Sequence, residues 1–184
     1  NYSFSKSPKP WEPFKGINFI RKSKWLRPIR DFNIYLAPKQ LGFKTTLNRT
    51  YNEFAVRYNF LGGENLEFPQ YNKTFNWDRD YTFKYDLTKA LNFDFSAKNR
   101  AFVNEPFGKV DYGMFGYENG LNRDTVNQSL IGFGENMNYS HNLNVSYKWP
   151  FSKFPLTEWI ALTTRYTGSF DWTREPLAVD TMSI

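Results

Sequence analysis

The 184-residue sequence contains no cysteine and only one histidine, His141. Disulfides and cysteine-ligated metal centres are therefore excluded, and any metal site would depend on oxygen ligands and one imidazole. Long apolar runs are also missing. The longest clean run, Trp159-Ile160-Ala161-Leu162, is far shorter than the ~20 residues that a membrane-spanning helix needs. The opening residues alternate polar and aromatic side chains, and they show no charged region followed by an apolar one that would indicate a signal peptide.

Aromatic residues are abundant: 19 Phe, 12 Tyr and 6 Trp make up 20% of the chain, which excludes ordinary disorder. The mean hydropathy is nevertheless −0.66. The net charge of +6 comes from one segment, since residues 1–44 hold ten basic and two acidic groups and the remainder is slightly acidic. A solvated basic loop, or a loop near an anionic lipid surface, would explain this segment. The neutral-to-acidic remainder argues against nucleic acid as a partner.

Alternation of apolar and polar residues with period two dominates the chain and predicts antiparallel β-strands. In the run at 137–149, large apolar side chains and His141 occupy every second position and are separated by Asn, Ser and Lys. A change of phase after Tyr51 is typical of a β-bulge. The sequence predicts an all-β fold with a strand stub at 1–6 and five full strands, at roughly 41–60, 75–86, 90–102, 133–149 and 159–173.

The connections predicted between these strands alternate in length. Tight or moderately short turns are expected at 86–89 and 150–155, whereas 61–74 and 104–131 are long and rich in Gly, Asn and Pro. Antiparallel strands place successive connections at opposite ends, so the short turns share one end and the long loops the other. That arrangement, with long alternating strands, is typical of outer-membrane β-barrels. Aromatic residues near the strand ends fit membrane interfaces.

Five or six strands are too few to close a barrel, and an open edge in lipid would leave backbone groups unpaired. We therefore expect residues 1–184 to form part of a much larger transmembrane barrel. Residues 1–40 would supply a strand end and a basic periplasmic connection, 41–173 the antiparallel strands with exterior loops, and 174–184 the start of another exterior loop. Two other interpretations stay open: a different outer-membrane barrel, such as a transporter or porin, and a secreted carbohydrate-binding β-sandwich.

The two phases of each strand give the two faces of the predicted wall. Lipid-facing candidates come from the apolar phase: Phe43, Leu47, Phe83, Leu91, Phe93, Leu143, Val145 and Leu162. Aromatic candidates for the membrane interfaces are Trp77, Tyr81, Tyr147, Trp149, Trp159 and Trp172. Lumen-facing candidates come from the polar phase: Lys84, Asp86, Asp94, Lys98, Asn142, Asn144, Arg165 and Asp171.

Catalytic chemistry is poorly supported. His141 has no accompanying Ser or Cys motif, and Asp78 and Asp80 share a polar strand face where a solvated role is expected. Four carboxylates in the predicted loops lack EF-hand spacing, and weak Ca²⁺ binding is the most they suggest: Glu105, Asp111, Glu118 and Asp124. We expect no enzyme activity, no cofactor and no dedicated metal site.

A series of strings, taken in order, resembles the late barrel region of the SprA/Sov family. The strings are Asp31–Pro38 (DFNIYLAP), Leu47–Glu53 (LNRTYNE), Phe75–Tyr81 (FNWDRDY), Tyr139–Asn142 (YSHN) and Tyr166–Trp172 (YTGSFDW). This family is the outer-membrane translocon of the type 9 secretion system and of gliding motility. The resemblance implies a very large single-chain barrel that conducts folded proteins, with a lateral opening, a PorV-type shuttle barrel, a plug protein and secreted substrate proteins as partners. The chain is far shorter than those of the family.

Overall fold

The computed structural model describes residues 1–57, 67–106 and 117–175, and in them the chain has an all-β fold. Six strands form one sheet in the order β1-β2-β3-β4-β5-β6, so each strand lies beside its neighbours in sequence. The strands are β1 (Tyr2–Ser5), β2 (Gln40–Arg57), β3 (Glu67–Asp86), β4 (Leu91–Phe102), β5 (Glu135–Lys148) and β6 (Thr163–Thr173).

Helices are confined to the connections. Two short ones, α1 (Asn18–Lys22) and α2 (Arg27–Arg30), lie between β1 and β2, and α3 (Tyr117–Ile131) precedes β5. One 3₁₀ turn, Pro150–Lys153, follows β5. Among the described residues, no helix combines the length and the apolar composition that crossing a bilayer requires.

The pairing of the strands is antiparallel. Tyr2 lies opposite Phe43 and Phe4 opposite Leu41, so β1 and β2 run in opposite directions. At the other end of the order, the Trp149 N–H donates to the carbonyl of Leu162 over 2.9 Å where β5 leads towards β6.

A tight turn joins β3 to β4. Thr88 and Leu91 exchange two backbone hydrogen bonds of 3.3 Å, which leaves residues 89–90 as a two-residue loop. The Thr88 hydroxyl also accepts a 2.9 Å bond from the Leu91 N–H. The short turn predicted around 86–89 is therefore present, one residue further along the chain.

Two elements differ from the sequence prediction. Strand β3 begins at Glu67, inside the predicted loop 61–74, because Pro69 and a run of polar residues obscure the alternation there. Helix α3 occupies the last part of the predicted loop 104–131. The remainder of those loops, at 61–66 and 107–116, and the predicted exterior segment at 176–184 lie outside the described residues.

The chain divides into two compact units. Each of the strands β2 to β5 contributes residues to both units. Unit 1 comprises residues 1–44, 79–98 and 139–172, and unit 2 comprises 45–78, 99–138 and 173–184. The buried hydrophobic side chains among the described residues are small ones: Ala97 in unit 1, and Ala101 and Val103 in unit 2. Within the described residues, the sheet therefore buries few hydrophobic side chains.

In unit 2, the end of α3 docks on the end of β4. The Asn104 N–H donates to the Ser129 hydroxyl over 3.1 Å, and the Gly134 N–H donates to the Ser129 carbonyl over 2.7 Å. Gly134 has φ of 68°, and a Cβ there would lie 2.8 Å from the Phe102 carbonyl oxygen. This close approach accompanies the complete burial of Ala101 in β4.

Candidate functional surfaces of the sheet

Aromatic side chains meet across neighbouring strands on one face of unit 1, here called the aromatic face. Phe43 of β2 lies beside Tyr81 of β3 with ring centroids 5.3 Å apart. Phe83 of β3 meets Phe93 of β4 at 5.9 Å in an edge-on arrangement. Such cross-strand pairs stabilise a sheet and also fix which residues share a face.

The aromatic face continues through β5 to β6. His141 lies 5.8 Å from Phe95 on β4 and stacks at 5.5 Å on Phe170 of β6. Tyr139 contacts both His141 and Phe170. The Nδ1 atom of His141 is buried and makes no hydrogen bond to any residue that the structure describes. The imidazole thus belongs to a ring array, and none of these partners is a nucleophile or a carboxylate.

The predicted lipid-facing residues are all partly open to solvent. Phe43, Leu47 and Leu162 are exposed by 40, 52 and 47%. The other five are half-buried: Phe83, Leu91, Phe93, Leu143 and Val145. Partly exposed apolar surface of this kind is typical of contacts with lipid, ligands or other proteins.

Several predicted interfacial aromatics gather where β5 ends in unit 1. Tyr147 and Trp149 pack edge-on at 5.0 Å, and Trp149 stacks on Phe151 at 5.8 Å. The Trp149 indole N–H donates to the Thr164 hydroxyl over 2.9 Å. Trp159, in the β5–β6 connection, is 83% exposed.

The remaining interfacial candidates lie elsewhere on the strands. Tyr81 is in β3 beside Phe43, as described above, and Trp172 is in β6 with 42% of its surface exposed. In unit 2, Trp77 stacks on Phe133 at 5.9 Å, and its indole N–H donates to the Thr45 hydroxyl over 2.6 Å. Phe133, the first residue of the predicted strand 133–149, lies in the structure between α3 and β5.

The opposite phase of the strands presents polar and charged side chains. Seven of the eight predicted lumen-facing residues are exposed: Lys84, Asp94, Lys98, Asn142, Asn144, Arg165 and Asp171. The eighth, Asp86, is half-buried and lies 3.4 Å from the ammonium of Lys39. In unit 2, the Arg100 guanidinium donates to Asp78 over 2.7 Å. Both signs of charge are therefore interspersed on this surface.

The connection between β1 and β2 is tied to the β3–β4 turn through Glu12. The Glu12 carboxylate accepts hydrogen bonds from Lys15 at 2.6 Å and from Lys89 at 2.5 Å. These bonds, that of Lys15 first, lower the pKa of Glu12 to about 2, and the same pairing raises the pKa of Lys89. Local sequence does not predict this role of Glu12, because its partner Lys89 is distant along the chain.

Buried Asn33 provides a second tie between the same segments. Its side-chain amide donates to the Asp31 carbonyl over 2.8 Å, and its oxygen accepts from the Lys89 N–H over 2.7 Å. The Asp31 carboxylate in turn lies 2.9 Å from Arg30 and 3.8 Å from Lys153 in the β5–β6 connection. The predicted basic connection is therefore held by hydrogen bonds against both short-turn segments of unit 1.

In unit 2, the nearly buried side chain of Glu105 forms an ion pair with the more exposed Arg49. Arg49 donates to its carboxylate from two nitrogens over 2.5 and 3.1 Å, and only 4% of the Glu105 side chain is exposed. The Arg49 guanidinium also lies 5.9 Å above the Phe75 ring. Glu105, considered above as a weak Ca²⁺ ligand, therefore has a cationic partner that competes with any metal.

The other loop carboxylates do not come together in the described part of the chain. Asp124 is on the exposed surface of α3, whereas Asp111 and the side chain of Glu118 lie outside the described residues. Across residues 1–57, 67–106 and 117–175, no group of three His, Asp or Glu side chains has the geometry for a metal ion.

Comparisons with protein-family models, with curated proteins and with solved structures give no match.

Proposed function

We propose that this chain is part of the wall of a large outer-membrane β-barrel of the SprA/Sov type, which conducts folded proteins during type 9 secretion and gliding. The aromatic face would contact outer-membrane lipid, and the polar phase would line a hydrated passage. The role of these residues is passive and non-enzymatic in this proposal. The PorV-type shuttle, the plug protein and the secreted cargo enter it through the resemblance alone.

One observation carries the membrane part of the proposal: a single sheet has a partly exposed aromatic face, a charged opposite face and few buried hydrophobic side chains among the described residues. A soluble β-sandwich would cover the aromatic face with a second sheet, and the described residues form one sheet only. Strands β2 to β5 have 12 to 20 residues and β6 has 11. These lengths support the same conclusion. Each is long enough to cross a bilayer, which takes about 9–11 residues of tilted strand.

The protein-conducting part can be tested by site-specific photo-crosslinking from two adjacent residues in the middle of β5. Asn144 is exposed in the polar phase and Val145 is half-buried in the apolar phase. A photoreactive amino acid at Asn144, in the chain as made by a bacterium with type 9 secretion, should trap secreted proteins in transit. The same group at Val145 should trap lipid instead.

Cargo adducts from Val145 as abundant as those from Asn144 would refute the assignment of the faces. Adducts of small solutes but never of secreted proteins at Asn144 would point to a transporter or porin wall. A chain that folds as a stable monomer in plain buffer would instead favour the secreted β-sandwich.

A further inference from the structure

A groove of about 950 Å³ lies in unit 1 between the β1–β2 connection, the β3–β4 turn and the end of β5. Its lining includes five cationic side chains, Lys15, Arg30, Lys89, Lys148 and Lys153, but only two carboxylates. The groove therefore carries a formal charge of about +3. This surplus is unrelated to the aromatic face on which the proposed wall function rests.

Both carboxylates of the groove are already engaged. Glu12 accepts hydrogen bonds from Lys15 and Lys89, and Asp31 pairs with Arg30 at 2.9 Å and more loosely with Lys153. Lys148 has no ion pair within the described residues. Gathering cations in one concave site is unfavourable unless an anion offsets their repulsion.

The framework around the groove is already organised. The side chain of Asn33, which is 6% exposed, bonds both the β1–β2 connection and the backbone of Lys89. A ligand would therefore order few groups when it binds, which removes a large part of the entropic cost of association.

The groove also has an apolar side. Leu91 and Tyr147, both in the apolar phase of their strands, line it together with Trp149. A ligand that occupied the whole groove would carry negative charge at one end and apolar groups at the other. Lysine is a common partner of phosphate, and Trp and Tyr are enriched where lipid headgroups meet acyl chains.

We propose that this groove is a binding site for the phosphate of an anionic phospholipid, with the acyl chains of the lipid directed along Leu91 and Tyr147. Lys148 and Lys153 contact the phosphate, and the network around Glu12 and Asn33 keeps the groove open. The site deepens the proposed function, since it gives the short-turn end of the wall a bound lipid of defined charge.

Native mass spectrometry and thermal unfolding in non-ionic detergent, carried out on the complete polypeptide that contains the chain, test this inference. Phosphatidylglycerol should raise the melting temperature and occupy a site that the lysine replacements below remove, whereas phosphatidylcholine with the same chains should bind at least tenfold more weakly. Replacing two lysines, Lys148→Gln with Lys153→Gln, should weaken phosphatidylglycerol binding by about fivefold per lysine, or roughly 30-fold in all. The double variant Lys148→Arg with Lys153→Arg should bind like the wild type.

The matched control is Lys6→Gln with Lys9→Gln, which removes the same charge from exposed positions outside the groove. Its affinity should be unchanged, and an equal loss there would overturn the site in favour of general charge attraction. Equal binding of the two lipids would also overturn it. Inorganic phosphate that stabilises the chain as strongly as phosphatidylglycerol would refute the assignment to a lipid. Because none of these readouts involves cargo, failure here is distinguishable from failure of the translocation proposal.

Discussion

Placing a charge on the aromatic face at the middle of β5 gives the most direct test of the membrane wall. Strand β5 has 14 residues, which at ~3.3 Å each and a tilt of about 40° span roughly 35 Å along the membrane normal. The apolar band of an outer-membrane barrel is about 25 Å tall. Leu143 lies about 4 Å from the centre of β5 by the same geometry, close to the expected bilayer midplane.

Leu143→Arg should therefore lower the free energy of unfolding in lipid vesicles by ~2–4 kcal/mol, the cost of an arginine that faces lipid at the midplane. Asn144→Arg is the matched control, because it adds the same side chain one residue away on the exposed polar face. A surface substitution of that kind is expected to change stability by about 0.5 kcal/mol or less.

A third variant tests depth. Phe93 is only the third residue of β4, and the bond from the Lys148 N–H to the Ala90 carbonyl places it about level with Val145. That level is about 9 Å from the centre of β5, nearer the interface. The charge introduced by Phe93→Arg should therefore lower the free energy of unfolding by less than the charge introduced by Leu143→Arg.

Urea titration in phosphatidylcholine vesicles of the complete barrel polypeptide that contains the chain, followed by tryptophan fluorescence, measures all three values. Equal destabilisation by Leu143→Arg and Asn144→Arg would refute the assignment of faces. A Leu143→Arg variant that is as stable as the wild type would refute the membrane wall itself.

Two further predictions concern the polar ties of unit 1 and the turn after α3. Because Lys15 and Lys89 hold the pKa of Glu12 near 2, below its ordinary 4.5, the stabilisation from ionised Glu12 is present above pH 4.5 and is lost as the pH falls towards 2. Melting temperatures of wild type and Glu12→Gln should converge over that window, and a constant difference would contradict the pairing. Gly134→Ala should destabilise the chain by at least about 1–2 kcal/mol, because its φ is positive and its Cβ would strike a β4 carbonyl. Gly16→Ala, which meets no atom within 4 Å, should be nearly neutral in the same denaturant titration.

The strands were the predictable part of this fold. Alternation with period two depends only on neighbouring residues, and it holds over long stretches of the strands, with one change of phase in β2 after Tyr51. The sequence predicts strands less well where apolar and polar side chains occur in the same phase. At the start of β3, Tyr71 and Lys73 share a phase, and Lys73 is held there by a 2.8 Å bond to the Pro106 carbonyl. That bond joins residues 33 apart, so no local pattern could indicate it.

The sequence does not predict helix α3, because here too the stabilising contacts come from residues distant along the chain. Its sequence, YENGLNRDTVNQSLI, contains an internal glycine and little amphipathic periodicity, so local propensity favours a loop. At its C-terminal end, Ser129 binds the backbone of both Asn104 and Gly134. Tertiary hydrogen bonds of this kind override a weak propensity, and they become visible only once β4 and β5 have brought the two segments together.

The aromatic face and the cationic groove differ in the same way, because local sequence pattern predicts only the first of them. The aromatic face could be anticipated, because each strand contributes its own alternating residues and the sheet only aligns them. The cationic groove could not, because it combines Lys15, Lys89 and Lys153, which are brought together by Glu12, Asn33 and Asp31. In the sequence these lysines belong to different segments, and only the first segment has a basic excess. The surplus of +3 in the groove comes from Lys89, Lys148 and Lys153, because Glu12 and Asp31 balance Lys15 and Arg30. Folding therefore builds a concave cationic site that the composition of no single segment indicates, and an anionic lipid is the ligand that we propose for it.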